Sequence, residues 1–265
     1  MHKLERKFVE KVWGVDRLPP VFNSPQDLRI GEVWYEPPAA LDALLVKALF
    51  ASERLSVQAH PSDEQAQSMG LGSAGKSECW VITNADDDAT IAVGFRNAVT
   101  PEAMRAAALD GTIVDLLEWH PVERGDAFYI PAGTVHAIGG GVSLIEVQQN
   151  TDITFRLYDY GRPRELHLDD AMQVAITEPY PSCNRSRLGK DATLVDSEHF
   201  RLVALDPNDP GTIAGWAGKV LLVPFEGMVT VDGTPLIVGE CSYVEDIASA
   251  QLEGDGLVLV AQPIG

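Results

Sequence analysis

Four polar side chains in three separate segments could together bind a divalent metal ion. Gln58 and His60 are two residues apart at the end of an apolar run, and side chains two apart on a strand point to the same face. Glu78 begins another apolar run, and His136 follows a turn that contains Pro and Gly. Two imidazoles, one carboxylate and one amide suit Zn²⁺ or another borderline divalent metal. A single histidine is more often a packed or surface residue, so the prediction rests on the combination.

Charged residues accompany these donors on the same predicted strands. Lys76 precedes Glu78 by two residues and therefore shares its face. In residues 152–158 polar and apolar side chains alternate, which places Arg156 on a polar face whose opposite face packs into the core. Glu146 lies in a similar run. Taken alone, Glu146 could be a surface strand residue and Arg156 a surface ion-pair partner.

The segments that carry these residues are mostly short strands separated by Pro and Gly. Runs rich in Val, Ile, Phe and Tyr predict strands over residues 44–50, 54–59, 78–83, 90–95, 127–130, 142–149 and 153–159. Capping residues and periodicity predict helices over 62–70 and 100–109, a helical turn over 113–119 and a further helix over 168–176. The chain is therefore predicted to be mainly β, with a small helical insert around residues 98–120.

A weak internal repeat suggests two related β-barrels in tandem. Residues 125–130 (GDAFYI) resemble residues 239–244 (GECSYV), although one such match could arise by chance in a β protein. The polar stretch after residue 180 would separate a first domain over 1–180 from a second over 181–265. At the offset of His136 the second copy has Ala250, so we expect only the first domain to bind metal.

The composition excludes several classes of protein. Of the 265 residues, 45% are apolar and 22% charged, as in a folded globular protein. The formal net charge of −19 disfavours nucleic acid and anionic membranes as partners, and an anionic substrate would need a local basic pocket. The three cysteines form no CxxC motif, and residues 1–7 do not look like a signal peptide. We therefore expect a cytoplasmic protein.

Several of these segments resemble a known family. Residues 125–136 resemble the second motif of the cupins, and the strands with His60 and Glu78 resemble a version of the first. Within the cupins the chain resembles the type I phosphomannose isomerases (mannose-6-phosphate isomerases). The resemblance is carried by residues 13–14 (WG), 31–34 (GEVW), 44–47 (LLVK), 55–64 (LSVQAHPSDE), 75–80 (GKSECW), 130–138 (IPAGTVHAI) and 146–159 (EVQQNTDITFRLYD).

The resemblance implies a fold, a metal and an activity. The fold would be a tandem cupin, a jelly-roll β-barrel repeated twice, with a degenerate second copy. One Zn²⁺ per chain would support the interconversion of mannose 6-phosphate and fructose 6-phosphate through a cis-enediol. We expect a small-molecule sugar phosphate as substrate and a monomer or weak homodimer.

The resemblance also implies a set of site residues. Zinc would be bound by Gln58, His60, Glu78 and His136, Arg156 would be catalytic, and Lys47 would bind substrate. For proton transfer Lys76 and Asp152 are the first candidates and Glu146 the reserve. A lysine base would need a lowered pKa, which a nearby metal and Arg156 would favour. Arg162 and Arg164 are phosphate-binding candidates on charge alone, and a solvated turn is the simpler interpretation of both.

The sequence departs from the family pattern at some positions, and other functions stay open. Val15 stands where a second Gly usually follows Trp13-Gly14, Ala59 replaces a common Val, and residues 185–265 match only weakly. A non-catalytic sugar-binding cupin and a metal-dependent cupin that acts on another sugar are the alternatives. An Fe(II) dioxygenase is disfavoured, because oxygen chemistry needs neither the Gln ligand nor the basic residues.

Overall fold

The computed structural model describes residues 1–25 and 27–264, and β-strands dominate them. The strands are β1 His2–Lys3, β2 Arg6–Val15, β3 Ile30–Tyr35, β4 Leu44–Ala51, β5 Val57–Ala59, β6 Glu78–Ala85, β7 Thr90–Phe95, β8 Leu117–Pro121, β9 Asp126–Ile130, β10 His136–Ile138, β11 Val142–Gln149, β12 Phe155–Tyr158, β13 Arg185–Arg187, β14 Ala192–Asp196, β15 Phe200–Leu205, β16 Val220–Glu226, β17 Met228–Val231, β18 Thr234–Ile237, β19 Ser242–Val244, β20 Leu252–Gly254 and β21 Leu257–Pro263. The helices are α1 Asp63–Ser68, α2 Pro101–Asp110, α3 Ile113–Leu116 and α4 Leu168–Val174.

Two antiparallel sheets form the first sandwich. The larger has the strand order β13-β9-β6-β11-β4-β3-β2 and the smaller the order β12-β5-β10-β7-β8. Large apolar side chains from both sheets fill much of the space between them, among them Trp80, Phe128 and Ile91. Burial of these residues excludes water from the interior, and the polar residues of the candidate site enter the same space.

A second, smaller sandwich follows. Its sheets have the strand orders β1-β19-β16-β21-β15-β14 and β18-β17-β20. The interior is closely packed with apolar side chains, including Val203, Val220, Leu222 and Val260. The large sheets of the two sandwiches pack back to back through another apolar cluster, which joins Val81 of β6 to Leu221 of β16.

The two sandwiches repeat the same topology. The order β9-β6-β11-β4-β3 matches β19-β16-β21-β15-β14, and β10-β7-β8 matches β20-β17-β18. Gly125 lies directly before β9 and Gly239 lies three residues before the matching strand β19. Both have a positive φ, which explains why glycine occupies both positions. The repeat that the sequence suggested is therefore present in the strand order.

Strand register shows what replaces the charged residues in the second sandwich. In the first sandwich Glu78 lies opposite Ile130. In the second sandwich Val244 matches Ile130, and Val220 lies opposite it, so Val220 takes the place of Glu78. Lys47 pairs with Glu146 across β4 and β11, and Val203 pairs with Val260 across the matching strands. Three charged side chains of the first sandwich thus correspond to buried valines in the second.

Helices cover the outer face of the smaller sheet of the first sandwich. α1 begins with a capping box in which Ser62 and Gln65 satisfy each other's backbone N–H groups, and the Thr100 side chain caps α2. Met104, Ile113 and other residues of α2, α3 and α4 pack on the apolar face of the sheet. The capping residues predicted from the sequence are confirmed.

Some predicted element boundaries are wrong. The helical turn predicted over 113–119 ends at Leu116, because Leu117–Pro121 pair with β7 and extend the sheet. The strands predicted over 54–59 and 153–159 are limited to Val57–Ala59 and Phe155–Tyr158, where backbone pairing is available.

The prediction of a mainly β, tandem cupin fold is confirmed, with each copy built as a sandwich of two sheets. The domain boundary after residue 180 stays a prediction, because the edge strands β1 and β13 pair with the sheet of the other half. The longest helix described has 10 residues, and none of the helices described has the length and apolar run that crossing a membrane requires.

Candidate active site

Three ligand-type side chains converge inside the first sandwich. The donor atoms of His60, Glu78 and His136 lie within 4.8 Å of one another, and all three residues are buried. His136 on β10 pairs directly with Gln58 on β5, which brings the end of β5 and His60 beside it. Gly75 allows the chain before Glu78 to approach the residues after His60, because a Cβ there would lie 2.4 Å from the Pro61 carbonyl oxygen.

Backbone carbonyl groups fix the orientation of both imidazole rings. Nδ1 of His60 lies 2.8 Å from the Ile153 carbonyl oxygen, and Nδ1 of His136 lies 2.8 Å from that of Thr134. A carbonyl can only accept, so each Nδ1 carries the proton and each Nε2 presents a lone pair. The Nε2 atoms lie 3.8 and 3.5 Å from the carboxylate of Glu78. This arrangement of ring and backbone is typical of metal-binding histidines.

Burial keeps the two histidines neutral. Burial, reinforced by the charge of Lys76, lowers the pKa of His60 well below the ordinary value and lowers the pKa of His136 to about 4. Burial also raises the pKa of Glu78 to about 7, although the ammonium of Lys76 opposes that shift. Neutral imidazoles are the form that binds metal.

The donor set fits a divalent metal. Among the described residues, Oε1 of Glu78 is buried and has no hydrogen-bond partner, which is costly unless a cation or water satisfies it. Gln58 is close enough to complete the set, since its Nε2 lies 3.3 Å from Nε2 of His136. Its Oε1 accepts a hydrogen bond from Ser56 Oγ at 3.0 Å, so a half-turn of the amide would be needed to present oxygen to the group.

Lys76 and Glu146 connect the metal-binding group to a cavity. The ammonium of Lys76 contacts the Glu78 carboxylate, lies 3.2 Å from His60 Nε2 and lies 3.9 Å from Oε1 of Glu146. Glu146 is directly opposite Lys47 across the sheet, with 3.3 Å between Lys47 Nζ and Oε1. Trp80 Nε1 donates to the other oxygen of Glu146 at 3.1 Å. These side chains are held in one buried network.

Carboxylates dominate the electrostatics around Lys76. Burial alone would lower the pKa of Lys76, but the carboxylates of Glu146 and Glu78 outweigh it and raise that pKa above the ordinary value. The pKa of Glu146 falls to about 2, because Lys76 and Lys47 outweigh the effect of burial. Two carboxylates thus favour the ammonium form of this lysine, and the expectation that a bound metal and Arg156 lower its pKa stays a prediction.

A polar cavity of about 220 Å³ opens beside the metal-binding group. Its lining includes predicted and unpredicted residues, namely Lys11, Trp13, Glu32, Lys47, Leu49, Leu55, Ser56, Gln58, Lys76, Trp80, Ile138, Glu146, Asp152, Thr154, Arg156 and Arg164. The structure thus brings together every residue predicted for catalysis and substrate binding. Asp152, Thr154 and Arg156 face the cavity as the alternation in the sequence predicted.

Arg156 differs from the other cations of the cavity. Within the described part of the chain, the other four lining cations each have a carboxylate within 4.0 Å, and Arg156 has none. Its NH1 donates to the Glu165 carbonyl at 2.6 Å, and its Nε is buried without a partner. An oriented guanidinium with an unused donor is suited to bind an anionic group of a ligand.

Arg162 and Arg164 do not form a solvated turn. Both pair with the buried carboxylate of Asp159, Arg164 through two hydrogen bonds of 2.6 and 2.8 Å and Arg162 at 3.2 Å. Only Arg164 lines the cavity. The simpler interpretation of these residues is corrected, because a buried carboxylate holds both side chains in place.

Sequence reasoning did not assign roles to Lys11, Trp13, Glu32 and Trp80. Lys11 and Trp13 lie on β2, and Glu32 lies on β3. Trp80 follows Glu78 by two residues on β6. Trp13 and Glu32 belong to the motifs 13–14 and 31–34 that carry the family resemblance. Their place in the cavity wall gives these motifs a structural meaning.

Comparison with the sequences of known proteins indicates the family of the chain. Over 231 residues the chain is 32% identical to YvyI of Bacillus subtilis, a provisionally assigned mannose-6-phosphate isomerase, covering 83% of this chain and 69% of that protein. The chain belongs to the mannose-6-phosphate isomerase family. Mannose-6-phosphate isomerase ManA of Bacillus subtilis is 47% identical over 144 residues, which cover 52% of this chain and 45% of ManA. No family model matches the sequence.

The fold agrees as well. The crystal structure of mannose 6-phosphate isomerase from Bacillus subtilis superposes with a TM-score of 0.79 at 24% identity, over 98% of this chain and 99% of the other. The matched part of this mannose-6-phosphate isomerase family member spans about half the length of the first curated relatives. The resemblance stated from the sequence is confirmed.

Because His60 and His136 are neutral in the folded protein, we expect the protein to lose stability in mild acid. Because the pKa of His136 is lowered to about 4 in the fold, its stabilising contribution is present above the unfolded value near 6.5 and is lost as the pH falls towards 4. We expect the free energy of unfolding of chelator-treated protein to fall by a few kcal/mol over this window, at about 1.4 kcal/mol per pKa unit. Urea unfolding at several pH values measures it. His136→Gln should flatten the decline, His2→Gln should not, and a flat profile in the wild type would contradict the expectation.

Proposed function

We propose that this protein is a zinc-dependent aldose–ketose isomerase that interconverts mannose 6-phosphate and fructose 6-phosphate through a cis-enediol. The observation that carries the proposal is the joint placement around one cavity of a His–Glu–His group, two buried lysines and one arginine that has no carboxylate partner among the described residues. Membership of the mannose-6-phosphate isomerase family supports it. The part of the chain that matches the first curated relatives spans less than half of their length.

Zinc is the metal that the donor set favours. His60, Glu78 and His136 would bind it, with Gln58 as a fourth ligand, because two nitrogen donors with one carboxylate are typical of catalytic zinc sites. When bound, the ion would polarise the sugar oxygens near C1 and C2 as a Lewis acid. One ion per chain is proposed, since the positions matching Glu78, Lys47 and Glu146 in the second sandwich are valines.

Different charged residues of the cavity would carry out different parts of the proton transfer between C1 and C2. Lys76, held as an ammonium ion, would donate a hydrogen bond or proton to the substrate oxygen, while Lys47 and Glu146 would hold it in position. Asp152 lines the cavity and has no hydrogen-bonding partner among the described residues, so it is proposed to accept the carbon-bound proton. Arg156 would stabilise the negative charge that develops on the enediolate.

A sugar phosphate agrees with the charge of the cavity in an otherwise acidic protein. The chain carries a formal charge of −19, but five lysines and arginines line the cavity against three acidic residues. This local excess would attract an anionic substrate. Arg164 is proposed to face the phosphate end, and the protein is proposed to act as a monomer or weak homodimer.

A coupled assay tests the proposed activity. Purified protein is mixed with mannose 6-phosphate, glucose 6-phosphate or unphosphorylated mannose, and formation of the matching ketose is measured, which is fructose 6-phosphate for the two phosphates and fructose for mannose. We expect turnover with mannose 6-phosphate and at least about 10²-fold less with mannose, because the anion would lose its charged hydrogen bonds. Product formation from none of these substrates would contradict the isomerase assignment and favour a sugar-binding cupin.

A further inference from the structure

A second ion pair faces the cavity from the first two strands of the larger sheet. Lys11 on β2 and Glu32 on β3 both line the cavity, and Lys11 Nζ lies 3.2 Å from Glu32 Oε1. Glu32 is only 7% exposed, and its other oxygen accepts a hydrogen bond of 2.6 Å from Trp34 Nε1. The Lys11 side chain keeps 28% of its surface exposed, and burying the Glu32 carboxylate beside it costs free energy that such a pair seldom returns as stability. Its position at the cavity wall therefore favours a role in binding.

The charge of the pair indicates which part of a sugar phosphate it would contact. Lys11 and Glu32 together carry no net charge, whereas Arg156 lines the same cavity and pairs with no carboxylate in residues 1–25 and 27–264. A phosphate group requires excess positive charge. A neutral pair instead suits adjacent hydroxyl groups, because a carboxylate accepts from one hydroxyl while an ammonium donates to the next.

We propose that Lys11 and Glu32 recognise hydroxyl groups of the sugar chain and determine which hexose 6-phosphate is accepted. The inference rests on the proposed function, since it assumes that a sugar phosphate occupies the cavity. The hydrogen bond from Trp34 fixes the position of the Glu32 carboxylate. The pair therefore binds one arrangement of hydroxyl groups and does not move to fit another. A site that hydrogen-bonds a hydroxyl rejects an epimer by leaving buried polar groups unpaired.

A purely indirect role for Glu32 predicts different kinetics. Trp34 also lies beneath Lys47, whose Nζ is 4.6 Å from the centre of the indole ring. If Glu32 only positioned Lys47 through Trp34, its loss would lower kcat and leave KM and substrate discrimination unchanged. Direct contact with substrate hydroxyls would instead change KM and discrimination.

The test compares Lys11→Gln and Glu32→Gln with a matched control, Lys3→Gln, which removes an exposed ion pair of 2.7 Å between Lys3 and Glu240. Isomerase kinetics are measured with mannose 6-phosphate and with talose 6-phosphate, its epimer at C4. We expect each cavity variant to lower kcat/KM for mannose 6-phosphate by roughly 10- to 100-fold, mostly through KM, and to reduce the preference over the epimer. Inhibition by inorganic phosphate should stay within about twofold of the wild type.

Calorimetric binding of fructose 6-phosphate separates failure of this inference from failure of the proposed function. Weaker binding to Glu32→Gln than to the wild type and Lys3→Gln supports the pair even if no isomerase activity is found. Unchanged binding, a loss confined to kcat, or a large loss of phosphate inhibition in Lys11→Gln would each overturn the inference. A wild type without isomerase activity would overturn the proposed function alone.

Discussion

His136→Ala should lower the metal content of the protein from one equivalent to near zero and reduce isomerase turnover by at least about 10³-fold. The expected size follows from losing a Lewis acid worth several kcal/mol of transition-state stabilisation. The Nε2 atom of His136 lies 3.5 Å from Glu78, and the Thr134 carbonyl holds its ring, so alanine removes an oriented nitrogen donor. Elemental analysis and the coupled assay measure both effects. His60→Ala should behave in the same way.

A histidine outside the metal-binding group provides the control. His120 lies on β8 in the same sandwich, with its ring tilted against Phe128 at 5.9 Å, and does not belong to the group of three donors. His120→Ala should keep its metal and at least half of its turnover, although it can lose some stability. Full metal content with normal turnover in His136→Ala would show that the His–Glu–His group is not the catalytic metal site.

Arg156→Ala should reduce kcat by about 10²–10³-fold while leaving metal content unchanged. An oriented donor that faces a developing oxyanion is worth roughly 3–4 kcal/mol. The side chain lies on the polar face of β12, whose other face buries Phe155 and Leu157, so the fold should tolerate the change. Loss of the hydrogen bond to the Glu165 carbonyl should lower the melting temperature by no more than about 4 °C.

Two further variants sharpen this result. Arg156→Lys should recover only part of the loss, because a point charge does not reproduce the planar guanidinium. Arg105→Ala removes an exposed ion pair with Asp169 on the helical insert and should leave kcat unchanged. If Arg156→Ala kept a near-normal kcat and raised only KM, the guanidinium would bind phosphate and the proposed catalytic role would be wrong.

Part of the metal-binding group could be predicted because the placement of two residue pairs is local. Gln58 and His60, like Lys76 and Glu78, are two residues apart, and the alternation of a strand places each pair on one face. The register between β5 and β10 then joins His136 to Gln58. Neither the register nor the distance follows from spacing alone, and here the family resemblance supplied what the local pattern lacked.

The charge state of the cavity could not be predicted, because it depends on contacts between distant strands. Lys76 remains an ammonium ion because Glu146, from β11, lies 3.9 Å away, and sequence spacing contains no such distance. Lys11 and Glu32 meet through the pairing of β2 with β3. Residues 117–121 form a strand instead of extending a helical turn because β7 offers a pairing edge, so tertiary context outweighs local preference.

A zinc titration tests the central claim most directly. The protein is stripped of metal with a chelator, zinc is added in steps, and the conversion of mannose 6-phosphate to fructose 6-phosphate is measured at each step. One catalytic site per chain predicts negligible turnover before zinc is added, and a linear rise that ends at one equivalent. Turnover that survives complete removal of metal, or that rises until two equivalents are bound, would contradict a single metal-dependent isomerase site formed by His60, Glu78 and His136.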